Sequence, residues 1–313
     1  MKIAILSDVH GNAPALRTVL ADIRAQGIDE CIVAGDYCLS GPYPDECISI
    51  LRKLEHAHII RGNEERYLEN LIGKDQRNWT DGQMQISYWN YRNISEDNLK
   101  YMLAWPARLD LEFNGVDVHV THSRMEIAEG ECNDGIGPAT LAERFGDKPL
   151  TQEELADYVD QCIENTSGFD DKYAQLSDGV YVFGHSHLQW TYKVKNKNVV
   201  LVNPGSCGLP LDGVTDSIPY AILTIDDDGT VDVELRRLPF DKEAYIADLM
   251  KTTQYTEANV WSKVIIRELR NAKEHLTFFL QFVNSYAEQI GDTRRPFSVD
   301  TWEKAFELWE KQE

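Results

Sequence analysis

The chain has 313 residues, 42% of them hydrophobic, with 52 Asp plus Glu against 31 Lys plus Arg and a formal charge of −21. That length suits one large α/β domain with additions, or two domains, and the acidic balance argues against a surface built to neutralise nucleic-acid phosphates, although free nucleotides stay open as ligands. No apolar run is long enough to span a bilayer or serve as a signal peptide, so a cytoplasmic protein without membrane contact is expected. Six cysteines, Cys31, Cys38, Cys47, Cys132, Cys162 and Cys207, show no Cys-x-x-Cys spacing and read as reduced thiols.

Residues 1 to 63 alternate strand and helix. Pro14 opens a helix whose Leu16, Val19, Leu20 and Ile23 form one apolar stripe, a βαβ start that implies a parallel sheet. Short apolar runs with the look of buried parallel strands occur at Ile3 to Leu6, Cys31 to Ala34, His58 to Ile60, Val116 to Val120, Val180 to Phe183 and Val199 to Val202. Between them, residues 65 to 105 carry Trp79, Tyr88, Trp89, Tyr91, Tyr101 and Trp105 among polar residues and read as a helical insertion. Residues 125 to 178 read as a second insertion or a lid, with helical patterns around Leu141 to Phe145 and Thr151 to Ile163. Strands return at Trp190 to Val194 and Tyr220 to Ile225, and Asp226-Asp227-Asp228-Gly229 marks a hairpin turn before Val231 to Leu235, so the sheet ends antiparallel. From about Asp241 the chain reads as helix, including a long stretch from Glu257 to Ile290 and a shorter one after Ser298-Val299-Asp300. The expected division is a domain at 1–240 and a helical extension at 241–313.

Polar residues follow the apolar runs at Asp8-x-His10, Asp36, Asn63, His122 and His185-x-His187. Ligand crevices of α/β sheets lie at the carboxyl ends of strands, so these dispersed residues are expected to converge. Aspartate, histidine and an asparagine carbonyl form a mixed oxygen and nitrogen set that suits manganese, iron, zinc or nickel. Two such ions, roughly 3.5–4 Å apart, clamp a phosphoryl group in known binuclear sites. A bridging carboxylate has to hold them that close, and Asp36 is the natural bridge.

Ser7-Asp8-Val9-His10-Gly11-Asn12, Gly35-Asp36, Gly62-Asn63-Glu64, His122 and Gly184-His185-Ser186-His187 resemble, in order, the motifs of the calcineurin-like metallophosphoesterases, over roughly residues 1 to 235. The resemblance implies a four-layered α/β/β/α sandwich. It also implies that Asp8, His10, Asp36 and His187 hold one metal while Asp36, Asn63, His122 and His185 hold the other. Gly41-Pro42-Tyr43-Pro44 and Asn203-Pro204-Gly205-Ser206 look like the bacterial phosphodiesterase branch, which includes hydrolases of dinucleoside polyphosphates such as diadenosine tetraphosphate. The family's third block usually places a histidine after its asparagine, where this chain has Glu64. That departure points away from phosphomonoester chemistry and toward a good leaving group such as a nucleotide phosphate.

The expected catalytic contacts are His122, His185 and Glu64; Asn12, Asn63 and Arg124 are candidates for substrate binding. Asn12 reads equally as a cap of the helix at Pro14, and Arg124 equally as an ion-pair partner. His119 alternates within a strand and reads as structural, and His56, His58 and His275 receive no role. Tyr88, Trp89, Tyr91 and Arg92 could stack a base but read better as the core of a helical cap. The carboxy-terminal Phe278, Phe279, Phe282 and Tyr286 suggest packing on the sheet or against another subunit, which leaves a homo-oligomer open. The expected partner is a small phosphate ester or nucleotide. The alternatives are a phosphomonoesterase or protein phosphatase-like enzyme, suggested by Arg61-Gly62-Asn63, and a non-catalytic binding scaffold on the same fold.

Overall fold

The computed structural model describes residues 1–127 and 134–312. In chain order, β1 (Lys2–Leu6), α1 (Ala13–Ala25), β2 (Glu30–Val33), α2 (Pro44–Leu51) and β3 (Ala57–Ile59) form the expected alternation. Helices α3 (Glu64–Glu69), α4 (Gln85–Asn93) and α5 (Glu96–Leu103) follow, then β4 (Arg108–Phe113) and β5 (Val116–Thr121). Next come α6 (Pro138–Phe145), α7 (Gln152–Asn165), β6 (Gly179–Val182), β7 (Gln189–Lys193), β8 (Val199–Pro204), β9 (Ser217–Ile225) and β10 (Val231–Pro239). The chain closes with α8 (Lys242–Leu249), α9 (Thr253–Glu257), α10 (Val260–Asn271), α11 (Leu276–Ile290) and α12 (Val299–Trp309).

Two five-stranded sheets run in the orders β10-β9-β1-β2-β3 and β4-β5-β6-β8-β7. In the first, β1, β2 and β3 are parallel and β9 is antiparallel to β1; in the second, β5, β6 and β8 are parallel. The sheets pack face to face through Ile3, Ile5, Ile32, Val118, Val120, Val180 and Val182. The alternate residues of β1 and β2, Ala4, Leu6, Cys31 and Val33, face α1 and α2, while Tyr181 and Leu201 face α6 and α7. A strand buried on both faces must be apolar at every position, which is why these runs are continuous rather than alternating. Each fully buried Ile or Leu contributes about 1.5–3 kcal/mol by leaving water. The result is the four-layered α/β/β/α sandwich.

Two expectations need correction. No strand is expected between 105 and 116, yet β4 forms there and pairs antiparallel with β5; its Leu109, Leu111 and Phe113 alternate with charged residues, as an edge strand with one wet face requires. The long helix expected from Glu257 to Ile290 is instead two, α10 and α11, broken at Ala272, which adopts φ 50°. No Gly or Pro marks that break in the sequence. The carboxy-terminal helices build their own core around Phe279, Trp302 and Phe306. Through Ile246, Ile265 and Leu269 they also pack on Leu209 and Leu211. Among the described residues no helix is long and apolar enough to cross a membrane. Cys31, Cys38, Cys47, Cys162 and Cys207 are free thiols, and Cys132 lies outside the described residues.

Candidate metal centre

The predicted ligands converge where the strands end. Asp8 and His10 follow β1, Asp36 follows β2, Asn63 follows β3, His122 follows β5, and His185 and His187 follow β6, so both sheets contribute. Asp8, His10, Asp36, His185 and His187 all have positive φ, between 47° and 67°. Left-handed backbone costs a non-glycine residue about 1–2 kcal/mol, so five together persist only because the surrounding chain holds them. The hydrogen bonds Asp8 N–H to Gly35 O (3.0 Å), His10 N–H to Asp36 O (3.0 Å) and Gly208 N–H to Asp8 O (3.0 Å) do so, and Ser206 Oγ donates to Asp8 O at 2.7 Å. Strain of this kind concentrates at functional sites.

Ligand-capable atoms of Asp8, His10 and His187 lie within 4.8 Å of one another, as do those of Asp36, His122 and His185 and those of His10, Asp36 and Glu64. Their protonation follows from their outer contacts. His122 Nδ1 donates to Ala34 O at 2.7 Å and His187 Nδ1 to Leu209 O at 2.7 Å, which leaves both Nε2 atoms as lone pairs facing inward. His10 Nδ1 lies 2.9 Å from the Glu64 carboxylate, so its Nε2 also faces inward, 3.0 Å from His187 Nε2. His122 Nε2 meets Asn63 Oδ1 at 3.0 Å and Asp36 Oδ2 at 3.1 Å. Acceptors thus face acceptors at hydrogen-bond distance, an arrangement that only cations or extra protons stabilise. The residues therefore fit a pair of divalent ions.

The electrostatics agree. Burial opposes charge on His122, but Asp36 beside it outweighs burial and pushes its pKa up to about 10. Burial likewise opposes charge on His10, and Glu64, Asp8 and Asp36 raise it nonetheless. Asp8 is held well below the usual carboxylate range: burial would raise it, but His187, His10 and His122 prevail. His185 is lowered by burial and by His122, which favours the neutral imidazole, and it is the exposed member of its group. Burial pushes the Glu64 carboxyl up to about 7 against the pull of His10.

Other predicted residues have different surroundings. Asn12 caps α1, accepting from Ala15 N–H at 3.1 Å and donating to Gly208 O at 2.9 Å. Arg124 binds Asp134 at 2.8 Å and lies over the Trp190 ring, the ion-pair arrangement that the sequence left open beside a phosphate contact. His119 pairs with Asp110 at 2.7 Å and stacks on Tyr181. Tyr88 stacks on Trp79, and Tyr88 and Trp89 are buried, as a helical core requires.

The sequence reading missed two groups. Glu65, fully buried, accepts N–H bonds from Tyr37 (2.8 Å), Gly62 (2.7 Å) and Asp36 (3.3 Å), tying the Asp36 and Asn63 loops together. Trp261, Ile265, Glu268, Glu274 and Leu280, from α10, α11 and the break between them, share a cavity of about 290 Å³ with His10, Asp36, Asn63, Glu64, His185 and His187. Glu65 directly follows the Gly62-Asn63-Glu64 block, a position that could have signalled it; nothing in the sequence brings α10 to the site.

A family model described as the calcineurin-like phosphoesterase superfamily domain matches residues 1–228. An uncharacterised protein of Methanocaldococcus jannaschii is 25% identical over 258 residues, covering 78% of this chain and 90% of its own. Among solved structures, a metallophosphoesterase of Sphaerobacter thermophilus is 22% identical with a TM-score of 0.58, covering 87% of this chain and 100% of its own. A hypothetical protein of Pyrococcus horikoshii is 15% identical with a TM-score of 0.56, covering 88% of this chain and 99% of its own. At these identities the solved structures speak for the fold.

Proposed function

This chain belongs to the calcineurin-like phosphoesterase superfamily, and from that premise we propose that it is a binuclear metal-dependent hydrolase of phosphodiester or phosphoanhydride bonds in nucleotides, with dinucleoside polyphosphates such as diadenosine tetraphosphate the favoured substrates. The carrying observation is the cluster of inward-facing acceptors shared around Asp36. Asp8, His10, Asp36 and His187 would hold one ion, and Asp36, Asn63, His122 and His185 the other, with manganese the favoured metal. Divalent ions there supply Lewis acidity to a phosphoryl group and lower the pKa of water.

The protein's own groups do the positioning. Ala34 O and Leu209 O fix the tautomers of His122 and His187, an outer-contact device that orients metal-binding imidazoles. His185, exposed and neutral, is the ligand best placed to meet substrate phosphoryl oxygens. Glu64 stands where a proton-donating histidine is usual but is engaged with His10. A leaving group that needs little protonation, as a nucleotide phosphate does, suits that arrangement. The walled cavity also favours a small substrate over a folded phosphoprotein.

The test is hydrolysis of bis-p-nitrophenyl phosphate, p-nitrophenyl phosphate and diadenosine tetraphosphate by metal-stripped protein reloaded with manganese and, in parallel, with iron, zinc or nickel, with products separated by chromatography. Preference for the diester and the dinucleotide supports the proposal. Preference for the monoester replaces it with a phosphomonoesterase, and absence of turnover with every divalent metal removes it.

A further inference from the structure

Glu268 and Glu274 flank the break between α10 and α11, with 2% and 8% of their surface exposed. Glu268 Oε1 accepts N–H bonds from His275 (2.9 Å) and Leu276 (2.8 Å), and Glu274 Oε1 accepts from Thr277 at 2.7 Å. Burial and the neighbouring Glu274 raise the Glu268 carboxyl well above the usual range. The raised pKa of Glu268 favours a proton on its side chain directed at Glu274 beside it, which leaves acceptor lone pairs for a third group. Both line the cavity that contains the ligand cluster, and Trp261, Ile265, Leu276 and Leu280 give that end apolar walls. The Trp261 indole N–H is already donated to Gln83 O at 2.9 Å, so toward the cavity the ring acts as an apolar body. At about 290 Å³ the cavity is near the lower end of small-ligand sites, roughly 300–1,000 Å³.

One end of this cleft is thus built for a phosphoryl group and the other for something apolar that carries N–H donors. We propose that the compartment between α10 and α11 is the subsite for the alcohol part of the phosphate ester, and that it selects a planar nucleobase bearing an exocyclic amino group. The inference rests on the nucleotide reading above. An exocyclic amino group donates to the carboxyl pair; unsubstituted purine, which has ring acceptors and no N–H on that edge, leaves a buried acceptor unpaired.

Calorimetric titration of the full chain with adenosine and with purine riboside, which lacks the amino group, tests this without depending on turnover. Adenosine should bind about tenfold or more tighter than purine riboside, the factor expected when one buried acceptor loses its donor. Glu268→Leu, which removes the acceptor, should bring the ratio to near one, and Leu280→Trp, which fills the compartment while leaving the carboxyl pair in place, should weaken adenosine by a similar factor. Undetectable adenosine binding, equal affinity for the two nucleosides, or a ratio unmoved by Glu268→Leu would each overturn the subsite. So would ethanolamine binding in preference to adenosine, which would assign the compartment to an alkylammonium alcohol. Hydrolysis of bis-p-nitrophenyl phosphate by the same preparation reports on the metal centre separately, so a failed subsite and a failed hydrolase are distinguished.

Discussion

The Glu64 carboxylate lies 2.9 Å from His10 Nδ1, so the residue that replaces the usual histidine of the third motif is bonded to a proposed ligand of the first. A carboxylate at the far nitrogen of a metal-binding imidazole fixes its tautomer and increases its basicity, and losing such a partner typically costs 10–100-fold in metal affinity. Glu64→Gln is therefore expected to lower manganese affinity by roughly that factor, measured by metal content after equilibration at fixed free manganese. Turnover should return to near the parent value at saturating manganese, with the pH–rate profile unchanged. A persistent loss at saturation, with the limb near pH 7 gone, would make Glu64 a proton donor instead.

Asp36 presents Oδ2 to His122 Nε2 at 3.1 Å while its Oδ1 accepts the Glu64 N–H at 2.9 Å. Asp36→Asn keeps the shape but removes the negative charge between the two ligand groups. Metal content should fall below two ions per chain and turnover should be abolished together with it. Full metal content and normal activity in that variant would refute the bridge.

Gly184 and Gly62 leave room for the two carboxylates. A Cβ at Gly184 would sit 1.9 Å from Ser7 Oγ and 2.3 Å from Asp8 Oδ2, and one at Gly62 would sit 2.0 Å from Asp36 Oδ1. Overpacking of this kind costs about 1–3 kcal/mol, and here the carboxylates of two proposed ligands are among the atoms that must move. Gly184→Ala and Gly62→Ala should each reduce metal content more than their loss of thermal stability explains, which calorimetry and metal analysis on the same samples would show.

Much of the cluster was legible because its polar residues follow apolar runs, and a parallel strand buried on both faces announces itself as such a run. Asp8, Asp36, Asn63, His122 and His187 stood out as candidate ligands in that way, and the resemblance to the family supplied the pairing proposed for them. Glu65 was missed because a buried carboxylate that accepts three backbone N–H groups looks, in sequence, like any acidic residue at a helix start. β4 was missed because an edge strand with charged alternate residues resembles a polar loop. The distal wall was missed because the α10–α11 break depends on Ala272 adopting a left-handed conformation and on Glu268 satisfying the N–H groups of His275 and Leu276, neither of which a helical periodicity reveals.

That break also contains a pH dependence. His275, at the start of α11, has its pKa lowered to about 4 by burial and then by Arg267, and Asn271 Nδ2 lies 3.2 Å from its Nε2, an amide donor facing a neutral imidazole. The unfolded chain takes up this proton near the ordinary histidine pKa of 6.5, whereas the folded chain resists until about pH 4. Protons therefore favour the unfolded state across that window: the stabilising contribution of neutral His275 is present above pH 6.5 and is lost progressively as pH falls toward 4. The melting temperature should decline over this range, and His275→Gln, which keeps an acceptor for Asn271 and cannot titrate, should decline less steeply. Parallel melting curves at half-unit pH steps decide it: identical slopes for the two proteins would mean that His275 titrates normally and that the helix break is open to water.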